Sequence, residues 1–110
     1  MREVFTKELE ALADGLVDLG NLAVEAIKQS NKALTTNDLQ LAEQVITDDA
    51  QVNANQVEID RRAVEILALQ APVAADLRIV VAALKMSVAL ERMGDLARHI
   101  SALVLSLIHI

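Results

Sequence analysis

Apolar residues recur at every third or fourth position through three long stretches of this chain, the spacing of helices that each bury one face. In the first, Leu9, Leu12, Leu16, Leu19, Ala23, Ala26 and Ile27 hold the period, predicting a helix from about Val4 to Leu34. Gly15 and Gly20 lie within it and leave room for a neighbouring helix. The turn-prone run Thr35-Thr36-Asn37-Asp38 ends it, and Asn37 followed by Gln40 has the spacing of a helix cap. A second helix is predicted from Asp38 to about Leu69, and a third from Pro72 onward, with proline in its first turn and Asp76 near its positive end. Helices joined by short turns pack as antiparallel neighbours, so the pattern predicts an all-α, up-down-up three-helix bundle.

The apolar seams carry acids. On the third helix the predicted buried stripe is Leu77, Val81, Leu84, Val88, then Glu91 and Asp95, then Ala102. On the second, Asp49, Asn53, Gln56 and Asp60 are spaced by four, three and four, sharing a stripe with Ala42, Ala63 and Leu67. Antiparallel pairing about position 71 brings Asp49 and Asn53 level with Asp95 and Glu91. Carboxylates set into a packing seam need a compensating cation, whether an arginine, a proton or a metal. Oxygen donors without thiolates suit hard or borderline ions such as magnesium, manganese or iron. Against that stands ion pairing: Asp95 reaches Arg98 or His99 along its own helix, and Arg92 adjoins Glu91.

Composition narrows the function. The 110 residues suffice for one domain, are 54% hydrophobic, and include Phe5 as the sole aromatic residue. A net charge of -6 argues against nucleic-acid binding, which calls for a basic stripe and often stacking aromatics. There is no cysteine, hence no disulfide and no thiolate metal ligand. The amino terminus lacks the apolar run of a signal peptide, and no apolar stretch approaches the roughly twenty residues of a membrane span. A cytoplasmic protein is expected. No glycine-rich phosphate loop, nucleophile elbow or zinc-protease motif is present, and the Glu-x-x-His tetrad of di-iron bundles is missing. The final Leu105-Ser106-Leu107-Ile108-His109-Ile110 resembles translated sequencing-adapter sequence, so residues 105–110 are expected to be a non-native or truncated tail on a domain spanning residues 1–104.

Two further runs carry a resemblance. Pro72-Val73-Ala74-Ala75-Asp76-Leu77-Arg78, followed by Leu90-Glu91-Arg92-Met93-Gly94-Asp95, is similar to the hallmark of the PhoU phosphate-signalling family. Asp38-Leu39-Gln40-Leu41-Ala42, the run Val45 to Asn53, and Phe5-Thr6-Lys7-Glu8-Leu9 resemble its upstream pattern. The resemblance implies a non-enzymatic helical protein that negatively regulates the phosphate-starvation response. It implies partners as well: the ATPase subunit of a phosphate ABC transporter and a sensor histidine kinase, with membrane association through the transporter. Family members contain two three-helix repeats and this chain supplies one, so either the frame is truncated or two copies associate as a homodimer. Some members bind multinuclear metal clusters through Glu/Asp-x-x-x-Asp motifs. Carried over, the metal set is Glu91, Asp95, Asp49 and Asn53, holding a divalent or trivalent ion (iron, manganese, zinc or magnesium). Asn53 stands where many members carry aspartate, and an amide oxygen is a weaker, uncharged ligand. Two alternatives remain beside the regulator: a carboxylate-based metal-binding bundle, and a purely structural or oligomerisation module.

Overall fold

A computed structural model describes residues 2–69 and 74–107, which form three helices and no strand. Helix α1 spans Arg2–Thr36, α2 spans Leu39–Leu69 and α3 spans Ala74–Leu107. Each packs on both others, in a rod of 59 × 17 × 17 Å. The rod's length follows from helices of more than thirty residues rising about 1.5 Å per residue. The expected break at Gln70-Ala71-Pro72, with proline opening the third helix, lies outside the described residues, as do residues 108–110 of the tail.

The core is bulky at one end and fine-grained at the other. Phe5, Leu12, Leu19, Ile59, Ile66 and Val80 fill the half nearest the start of α1, while Ala33, Ala42 and Val104 close the far half. The first-helix stripe matches the predicted period, with Leu12, Leu19 and Ala23 fully buried and Leu9 and Leu16 packed at the margin.

The third helix corrects the sequence reading by a rotation of about one residue. Its buried line is Asp76, Val80, Ala83, Ser87, Ala97, Ser101 and Val104. The expected stripe residues Leu77, Val81 and Val88 are exposed, and Leu84 is half-buried. The cause is that α3 is apolar nearly all round, so its period does not select a unique face. Close packing of three helices then favours the side bearing alanine, serine and glycine, where backbones approach most nearly. Two of the buried serines are tolerated because a helical hydroxyl can bond its own backbone: Ser30 Oγ donates to the Ile27 carbonyl at 2.9 Å and Ser87 Oγ to that of Leu84 at 2.9 Å, whereas the buried Ser101 Oγ makes no hydrogen bond among the described residues. On α2, Ile66 rather than Leu67 turns inward.

The α1–α2 turn also differs from expectation. Asn37 is not the cap of α2; it is the residue that ends α1, at φ 54°. The Asp38 amide reaches back to the Ala33 carbonyl at 3.0 Å, the wide bond of a Schellman ending. Asp38 is the cap, its Oδ1 accepting the Leu41 amide at 3.0 Å. On the outer face of α2, Arg61 and Arg62 both bond Glu58, and Arg61 also bonds Glu65. Their hydrogen bonds hold the Glu58 carboxyl down to about 2.

Two substitutions separate the roles at this turn. Asp38→Ala is expected to cost about 1 kcal/mol through loss of the cap. Asn37→Gly is expected to stabilise by a few tenths of a kcal/mol, because glycine occupies the left-handed region without strain. Chemical denaturation of both variants checks this; equal losses at both positions would contradict the assignment of cap and terminator.

Candidate functional site

The site is built at a close approach of α2 and α3 that depends on Gly94. A Cβ at this position would lie 2.9 Å from Val52 Cγ1 and 3.4 Å from Asp49 Oδ1. No other glycine is so tightly met: Gly15 would place a Cβ 3.3 Å from Ile59 Cγ1, and Gly20 makes only an ordinary contact with Leu90. With no side chain at 94, Val52 seats against the α3 backbone and Asp49, one turn earlier on α2, is carried into the interface. Asp49 is 7% exposed.

A buried carboxylate needs a partner, and Arg98 provides it. Arg98 Nε lies 3.3 Å from Asp49 Oδ2, and its Nη2 lies 3.5 Å from Asp95 Oδ1 one turn back on its own helix. One guanidinium therefore ties α2 to α3. Its spread of donors suits two carboxylates at once, which a lysine ammonium would serve less well. Asn53 Nδ2 donates to Asp49 Oδ2 at 3.4 Å, and Asn53 itself is exposed. His99, expected as a partner of Asp95, has its Nε2 3.2 Å from Arg98 Nη2.

Glu91 completes the group without a cation of its own strength. Burial pushes its carboxyl above the usual carboxylate range, the negative charges of Asp95 and Asp49 push it further, and hydrogen bonding with Asp95 adds to this. Arg92 pulls weakly the other way. Of the sequence-predicted set, Asp49, Glu91 and Asp95 come together across two helices, and Asn53 joins them only through Asp49 on its own helix. Among the described residues, however, no three acid, histidine or cysteine side chains stand together in an arrangement that holds a metal ion. Arg98 occupies the middle instead. Three carboxylates against one arginine leave a net charge of -2 if all are ionised, and this deficit adds to the effect of burial in raising Glu91.

Further along α2, Gln56 Nε2 donates to Asp60 Oδ2 at 2.7 Å, and Ser87 Oγ on α3 lies 3.4 Å from Asp60 Oδ1. Asp60 therefore closes a separate cross-helix contact away from the acid cluster, steadied by Gln56 on its own helix. Sequence spacing missed the inter-helix reach of Arg98 and the role of Gly94. The Gly-Asp pair followed three residues later by arginine was the available signal.

With this geometry in place, the fold and site can be set against known proteins. The PhoU domain family model matches residues 16–104. The chain belongs to the PhoU family. A Mycobacterium leprae relative, named phosphate-specific transport system accessory protein PhoU homolog 1, is 42% identical over 101 residues, covering 92% of this chain and 46% of its own length. An Aquifex aeolicus PhoU homolog is 38% identical over 95 residues, covering 86% of this chain and 43% of that protein. The crystal structure of the phosphate transport system regulatory protein PhoU from Streptococcus pneumoniae superimposes with a TM-score of 0.86 at 35% identity, over 92% of this chain and 48% of that one. The chain thus spans about half the length of the relatives it matches.

Gly94→Ala is expected to cost about 1–2 kcal/mol: overpacking against the stiff Val52 outweighs the gain in helix propensity. In a Val52→Ala background the same change is expected to cost measurably less, and a double-mutant cycle showing no coupling would refute the contact as its cause. Glu91 supplies a pH test. Its folded value lies above its unfolded one, so the folded state retains a proton that the unfolded chain has released just above the ordinary glutamate range. Stability therefore falls as pH rises through that window, and the ionised side chain is a net cost at neutral pH. Glu91→Gln is expected to raise Tm at pH 7 and to change it little in acid; a lower Tm at pH 7 would contradict this.

Proposed function

We propose that this chain is a non-enzymatic accessory and regulator of phosphate uptake. In this reading it binds the ATPase subunit of a phosphate ABC transporter on the cytoplasmic side, links it to a sensor histidine kinase, and restrains the phosphate-starvation response when phosphate is plentiful. The observation that carries the reading is agreement over almost the whole chain, at about 40% identity, with proteins named as phosphate-specific transport accessories. In keeping with it, no helix among the described residues is long and apolar enough to cross a membrane. We further propose that two copies associate as a homodimer, a reading supported by the exposed apolar side chains along α3.

A second reading concerns the acid cluster. Glu91, Asp95, Asp49 and Asn53 are proposed to take up a hard or borderline divalent or trivalent cation (iron, manganese, zinc or magnesium), which would displace Arg98 as the counter-charge. The raised Glu91 carboxyl favours it, since an acid left without its own cation gains most from a metal. The present arrangement opposes it to the extent that Arg98 must first withdraw.

Two experiments test these readings. The regulator is expected to co-purify with the transporter ATPase more strongly in high phosphate, and to repress a starvation reporter in cells lacking their own copy. Absence of both effects would reject it. For the metal, the protein is dialysed against each of the four cations and its content measured by mass spectrometry. Wild type is expected to retain metal and Glu91→Gln/Asp95→Asn to lose it; no retention by wild type would reject the site for this single repeat.

A further inference from the structure

We draw no further inference here: the strongest candidate, the outward apolar seam of α3 from Ile79 to Leu103 with the exposed row Arg78, Lys85 and Arg92 beside it, carries none because nothing in the structure shows what covers it.

Discussion

The close approach of α2 and α3 at Gly94 is the constraint on which the site depends. Once Val52 sits against the bare backbone, Asp49 cannot avoid the interface, and a carboxylate there must be paired or protonated. Arg98, one turn beyond Gly94, is the group in position to do it, and Asp95 shares the same guanidinium. Glu91 is left on the same edge with two negative neighbours and only a weak offset from Arg92. The electrostatics are a consequence of packing: a larger residue at 94 would open the interface and return Asp49 to water. Breaking such a pair by removing Arg98 alone is worse than never having formed it, because the buried charge stays behind.

The same helix shows why a bundle can bury its smaller side chains and expose its larger ones. Three long helices in mutual contact gain more from close backbone approach along the whole rod than from a few bulky inserts, provided the small residues form a continuous line. On α3 that line is mostly alanine, serine and glycine with Val80 and Val104, while Leu77, Ile79, Met86, Met93, Leu96 and Leu103 are left outside. This arrangement costs apolar exposure well beyond what isolated surface residues carry, and contiguous patches of this kind mark surfaces that meet other surfaces.

Much of this was legible in the sequence. The three helices, their order and their antiparallel packing follow from period and punctuation, because only one proline and three glycines interrupt the chain. The meeting of Asp49 with Glu91 and Asp95 follows from counting outward from the second turn. The face of α3 was not legible. Where Leu77, Val81 and Val88 compete with Val80, Ala83 and Ser87, hydrophobicity alone favours the wrong line, since it rewards size when the interface rewards smallness. The cap failed for a related reason: Asn37 and Asp38 are both good cap residues, and only the left-handed backbone at Asn37 separates their roles. The reach of Arg98 across helices was hidden because spacing rules describe neighbours on one helix, and Asp95 already supplied one at three residues' distance.

Placement of the acid cluster and the outward seam on one helix has a geometric consequence. At about 100° per residue, Met93 lies roughly 200° round α3 from Glu91, so the two features occupy opposite sides of the same rod. The exposed Arg78–Arg92 row lies between them. Whatever covers the seam therefore leaves the cluster open, and whatever neutralises Glu91 leaves the seam free. A helix that served both purposes on one face would force them to compete. Helix α3 is thus apolar round much of its circumference: it meets α1 and α2 on its small-residue line, holds acids on one shoulder, and exposes apolar side chains on the other. Helices α1 and α2 carry no second seam of this length, and their outer faces keep the ordinary polar character of an amphipathic helix.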